Sequence, residues 1–170
     1  METLTGKTGL ALEVVRRASL PPATSIATAE SCTGGLLAAL LTSVPGASAV
    51  FLGGIVAYSN QVKVSQLAVP GDLLERVGAV SEEVAVAMAR GVRRTLGAQL
   101  GVGITGVAGP GHSELKAPGL VYVAIASAAA ARCERLTDDL GREGNRHAAA
   151  ALALRMLLDH LPATAAPREG

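Results

Sequence analysis

Tryptophan is absent from this chain, phenylalanine occurs once and tyrosine twice in 170 residues. Proteins that grip single-stranded nucleic acid stack bases on aromatic rings inside a basic groove. So few rings, a formal net charge of +1 and basic residues scattered along the chain argue against a nucleic-acid partner or an anionic membrane. Cysteine is nearly as scarce. Cys32 and Cys133 alone make neither a disulfide framework nor a four-ligand zinc site, so a reducing compartment, the cytoplasm, is expected. Long apolar runs are missing too. The opening METLTGKTGLALEVV carries Glu2 and Glu13 and reads as neither a secretory signal nor a membrane anchor. No repeat of solenoid or propeller length recurs, and no linker interrupts the body. His112, His147 and His160 share no metal-ligand spacing. No metal and no cofactor are expected.

What is abundant is small and apolar. The chain holds 20 glycines, and its hydrophobic content is built from Ala, Val and Leu, which suits one core with many close backbone approaches. Expected elements alternate. A helix over Thr5–Leu20 stops at Pro21-Pro22, and a short strand follows over Thr24–Ala29. A helix over Thr33–Thr42 is closed by Val44-Pro45-Gly46. Phe51–Ala57 reads as a buried strand, followed by short helices over Asn60–Leu67 and Gly71–Val77. Ser81 caps a helix to Leu96, with Glu82 and Glu83 at its positive end. A strand over Leu100–Thr105 leads into a glycine-rich loop, Gly106–Gly119. Leu120–Ser127 and Arg132–Asp138 form a strand pair, and a last helix covers Asn145–Leu161. This order predicts an α/β fold, a three-layer α/β/α sandwich whose mixed sheet is largely parallel. Residues 1–161 form the single domain in this reading, and a disordered tail starts at Pro162.

Ligands of open α/β sheets bind beyond the carboxyl ends of the strands. Three stretches reach that edge: Glu30–Gly35 (ESCTGG), Ala57–Asn60, and Thr105-Gly106 with the loop after it. Gly144-Asn145-Arg146 returns to the same edge if the last two strands run down and back. Lys63 falls in the first turn of its helix, where the dipole disfavours a cation. Partly buried there, it leans toward the neutral amine and becomes a general base. A lysine that snorkels to water is the alternative. Ser31 is either a helix N-cap or a nucleophile beside that base. Cys32 reads as a small hydrophobe, with Glu30 opposing a thiolate. The backbone N–H groups of Thr33, Gly34 and Gly35 suit an oxyanion or a phosphate. Gly101–Gly106 matches GxGxxG, but its glycines lie within a strand and no helix opens from it, so it is no dinucleotide fingerprint.

TAESCTGG, VPGAS, FLGGIVAYSNQVK, GAVSEEVA and GVGITGVAGPG, in this order, strongly resemble the C-terminal domain of the competence/damage-inducible CinA family. That domain also occurs alone as a nicotinamide-nucleotide amidase. The likeness runs from about Leu10 to about Leu158. It implies hydrolysis of the carboxamide of nicotinamide mononucleotide to nicotinate mononucleotide and ammonia, without a cofactor. It also implies a serine nucleophile, a lysine and a tyrosine, which fall on Ser31, Lys63 and Tyr58. The partner would be a pyridine nucleotide, and the assembly a homodimer or larger. A nucleotide phosphate needs donors, and Arg146 at an expected helix start is one candidate, a surface arginine being the alternative. Ser48, Thr105, Gly106 and the Gly109–Ser113 loop, with Gly111 at its centre, are further candidates. The loop GPGHSELKAPG departs from the family's usual pattern, being a residue shorter, and this bears on phosphate contacts and substrate preference. Two other readings stand beside the amidase: a serine amidase or esterase of different substrate, and a catalytically silent nucleotide- or partner-binding module.

Overall fold

The computed structural model describes residues 4–163. Five strands form one sheet in the order β2-β1-β3-β4-β5. β1 (Ile26–Glu30) lies parallel to β2 (Phe51–Val56) on one side and to β3 (Leu100–Gly106) on the other. β4 (Val121–Ala126) and β5 (Ala131–Leu136) add antiparallel pairs, so the sheet is mixed as expected. Among the described residues six helices cover it: α1 (Leu4–Ala18), α2 (Leu36–Thr42), α3 (Asn60–Leu67), α4 (Gly71–Val77), α5 (Glu82–Leu96) and α6 (Gly141–His160). A single 3-10 turn, Ala47–Ala49, precedes β2. No helix among the described residues is long and apolar enough to cross a membrane. The expected tail from Pro162 falls almost wholly outside the described residues.

The two faces of the sheet carry different side chains because strand residues alternate. Ile26, Val102, Ile104, Val121, Val123 and Ile125 point to one face and pack with Val14 of α1, Leu37 of α2 and Leu154 of α6. Ala27, Ala29, Ala124 and Ala126 line the other face, where α5 packs with Ala85, Met88 and Ala89. Gly101 and Gly103 of β3 complete this shallow face. A Cβ at Gly103 would lie 2.2 Å from the Ala85 carbonyl oxygen, and one at Gly101 2.1 Å from that of Ala89. The first two glycines of the misleading GxGxxG match therefore serve the close approach of α5. Three layers follow: α1, α2 and α6, then the sheet, then α3, α4 and α5.

Two helix starts differ from expectation. α2 begins at Leu36 rather than Thr33, because Gly34 (φ 62°) and Gly35 (φ 93°) adopt left-handed backbone. Ser31 is therefore not its N-cap. α6 begins at Gly141 rather than Asn145. Asn145 sits buried inside the helix and works as a hub. Its Oδ1 accepts from Leu140 N (2.8 Å), and its Nδ2 donates to Ala108 O (3.0 Å) and Asp139 Oδ1 (2.9 Å). These bonds, one of them to the distant Ala108, offset the weak helix propensity of Gly141 and Gly144.

Candidate active site

The turn after β1 is built by Glu30. Its carboxylate is 1% exposed and accepts backbone N–H groups from Gly35 (3.1 Å), Leu37 (3.0 Å) and Ala38 (2.8 Å). One anion thus satisfies three donors at the start of α2, where the helix dipole favours it. Ser31 N donates to Ile104 O at 2.9 Å, tying the turn to β3. The Ser31 side chain, relieved of capping, borders a cavity of about 330 Å³.

Lys63 reaches Ser31 from α3. Ser59 caps that helix, its hydroxyl accepting from Val62 N at 3.3 Å. The Lys63 side chain is 2% exposed and its Nζ lies 3.2 Å from Ser31 Oγ. Burial pushes its pKa below the ordinary lysine value, while Glu114 and Cys32 oppose the shift. The direction agrees with expectation, but desolvation is the main cause rather than the helix end. Among the described residues no carboxylate stands within ion-pair distance of Nζ. Burial of this kind disfavours the charged form, and an amine that gives up its proton more readily can take one from a hydroxyl. Cys32 also borders the cavity, but burial pushes its thiol up to about 12, so it stays protonated at neutral pH.

Tyr58, Thr105, Gly106, Gly109, Gly111 and Ser113 border the same cavity. Tyr58 is 60% exposed, and its hydroxyl accepts from Arg142 NH2 at 3.1 Å. The Thr105 hydroxyl donates to Ala79 O at 2.8 Å and so holds a wall of the cavity. His112 is exposed at the rim.

Five expected residues lie elsewhere. Arg146 does not border the cavity: its Nε and NH2 donate to the Thr33 carbonyl (3.3 and 3.0 Å), and its NH1 to Glu143 (2.7 Å). It braces the Ser31 turn against α6. Thr33 is fully buried, Gly34 N is spent on Ser31 O (3.0 Å), and Gly35 N is spent on Glu30. The two glycine N–H groups are therefore not free, whereas the buried Thr33 N–H has no backbone acceptor among the described residues. Ser48 sits in the 3-10 turn beside a separate depression shared with Thr42 and Phe51. The N–H of Cys32, next to Ser31, has no backbone acceptor among the described residues.

Sequence reasoning missed Arg142. It lies in the first turn of the 20-residue α6 and borders the cavity. Its NH1 donates to Gly109 O (2.6 Å) and its NH2 to Tyr58. Placing the helix start one turn too late had moved the cation from residue 142 to residue 146. Among the described residues no group of three His, Cys, Asp or Glu side chains could hold a metal ion.

The fold and this cavity define an α/β protein whose candidate site stands on the loops beyond its parallel strands. The chain belongs to the family of the CinA C-terminal domain, whose profile matches residues 9–161. A CinA-like protein of Myxococcus xanthus is 47% identical over 157 residues, covering 91% of this chain and 36% of that protein. One from Desulfovibrio desulfuricans is 50% identical over 141 residues, covering 81% and 33%. This chain thus spans about a third of the length of these relatives. The crystal structure of competence/damage inducible protein CihA from Agrobacterium tumefaciens superposes with a TM-score of 0.86 at 37% identity, covering 90% of this chain and 94% of that one. A competence-damaged protein (CinA) superfamily structure from Escherichia coli gives 0.86 at 31%, covering 91% and 90%.

Proposed function

We propose that this protein hydrolyses the carboxamide of nicotinamide mononucleotide, releasing nicotinate mononucleotide and ammonia, by nucleophilic catalysis at Ser31. The reading is carried by the buried Lys63 amine 3.2 Å from Ser31 Oγ at the cavity edge. Neutral Lys63 takes the hydroxyl proton as Oγ attacks the carboxamide carbon. The negative charge that develops on oxygen is met by the N–H of Cys32. The C–N bond then breaks, Lys63 returns the proton to the departing nitrogen, and ammonia leaves. Water attacks the ester, Lys63 removing its proton, and Ser31 is regenerated. Because Lys63 Nζ contacts Ser31 Oγ itself, and no bond joins Tyr58 to either among the described residues, the proton passes between Ser31 and Lys63 directly.

The cavity volume, about 330 Å³, lies within the range of roughly 300–1,000 Å³ for small-molecule sites and suits a mononucleotide. Arg142 supplies the cation for its phosphate, with the α6 N-terminus behind it. The test is ammonia release from nicotinamide mononucleotide by wild type, Ser31→Ala and Lys63→Ala. Wild type alone should turn over at a measurable rate, since a lost general base costs about 10²–10⁴ in rate. Full activity in Ser31→Ala rules the mechanism out. No ammonia from wild type, together with tight nucleotide binding, points to a silent binding module.

A further inference from the structure

The loop between β3 and β4 forms one wall of the Ser31 cavity through Gly109–Glu114. Nothing apolar anchors its tip. Glu114 (φ 52°) and Leu115 (φ 62°) both adopt left-handed backbone, and Leu115 is 100% exposed. Two non-glycine residues in that region cost energy and persist only where neighbours hold them. A bridge between Ser113 and Lys116 closes the turn, with N···O distances of 3.1 and 2.8 Å.

What holds the tip is a polar clamp on the segment Val77–Val80, between α4 and α5. Lys116 Nζ donates to Val77 O (3.0 Å) and Val80 O (2.6 Å). A cation suits this place because the C-terminal carbonyls of α4 are negative. Glu114 Oε1 accepts from Ala79 N (3.2 Å), and its Oε2 lies 3.7 Å from the same ammonium. Thr105, on the cavity floor, bonds Ala79 O. Floor and wall therefore hang on one short segment. Gly78 leaves the room this needs: a Cβ there would lie 2.5 Å from Glu114 Oε2 and 2.9 Å from Lys116 Nζ.

We propose that Lys116 is a positioning residue that holds the Gly109–Glu114 wall at the distance a substrate needs, without touching the reacting atoms. Its kinetic consequence rests on the nicotinamide mononucleotide reading. Loosening this wall weakens ground-state and transition-state contacts alike, so KM rises while the chemistry at Ser31 is spared.

Lys116→Met, Gly78→Ala and the double variant test this. Lys116→Met should raise KM for nicotinamide mononucleotide about 10-fold with kcat within about 2-fold. Amide hydrogen exchange across residues 109–116 should quicken by at least about 10-fold while the β3 amides keep their protection. Labelling of Ser31 by phenylmethylsulfonyl fluoride, in which Oγ bonds to sulfur and fluoride leaves, should keep its rate. The double variant should be no worse than the worse single one, because both break the same clamp. Unchanged KM and exchange in Lys116→Met overturn the proposal. So does a joint fall of kcat and Ser31 labelling with faster exchange through β3, which marks a general structural role, and so do additive effects of the two substitutions. Should wild type release no ammonia from nicotinamide mononucleotide, the substrate reading falls on its own. The clamp is then decided by loop exchange and Ser31 labelling alone.

Discussion

Replacing Lys63 by methionine should make the protein more stable at neutral pH while removing its activity. Methionine nearly conserves the buried volume and carries no charge to desolvate. Burial lowers the folded pKa of Lys63 from its ordinary 10.5. Between the lowered value and 10.5 the unfolded chain holds a proton that the folded chain has released. The unfolded state binds more protons there, so wild-type stability rises with pH, at up to about 1.4 kcal/mol per unit. Lys63→Met lacks this dependence. Its advantage over wild type should be largest at and below the lowered pKa and shrink as pH approaches 10.5. The lost contact to Ser31 subtracts a pH-independent amount of about 0.5–1.5 kcal/mol, so the slope and not the offset is diagnostic. Urea unfolding of both proteins from pH 6 to 10, with the difference plotted against pH, measures it. Activity in wild type should rise with pH through the same lowered pKa, because only the neutral amine accepts the Ser31 proton. A flat stability difference, or a Lys63→Met enzyme within about tenfold of wild-type rate, would refute the reasoning.

Substitutions at four other positions separate the roles assigned above. Arg142→Ala should raise KM for nicotinamide mononucleotide by about 10–100-fold and leave that for the unphosphorylated riboside unchanged, since a charge-assisted contact to phosphate is lost; an equal effect on both substrates would count against a phosphate role. Glu30→Ala strands three backbone donors at the start of α2 and should cost roughly 2–5 kcal/mol in urea unfolding. Glu30→Gln, which keeps an acceptor, should cost less, and equal stability of all three proteins would dismiss the capping argument. Gly103→Ala should destabilise by about 1–3 kcal/mol or more through the clash with α5, whereas Gly9→Ala in α1, with open space at its Cβ, should stabilise by about 0.5–1 kcal/mol. Calorimetric melting temperatures of the two variants should therefore move in opposite directions.

Elements whose ends are set by local chemistry were legible in the sequence. Ser81 caps α5 through its own hydroxyl, which accepts from Val84 N at 3.3 Å. Gly97, in the left-handed region, ends that helix. α3 and α4 fall where their patterns place them. The misjudged starts of α2 and α6 are set by partners distant in sequence or by glycine dihedrals. Asn145, a good N-cap by type, instead bonds Ala108 from inside α6. No local rule encodes that bond, and Arg142 was missed with it.

The same distinction separates the charged residues near the site. Lys63 and Arg146 both looked like ligand-facing cations on a helix near the site. In the fold, the Arg146 guanidinium spends its donors on Thr33 O and Glu143, whereas Lys63 meets only a hydroxyl in surroundings that disfavour its charge. Glu30 differs from a site carboxylate in the same way, its oxygens already taken by three N–H groups. A group whose hydrogen bonds are satisfied by the fold shapes the turn. A buried group left with one weak partner and an unfavourable charge retains chemistry to do. That criterion is what supports Ser31 and Lys63 as the proposed reacting pair, while Glu30 and Arg146 hold the turn that carries Ser31.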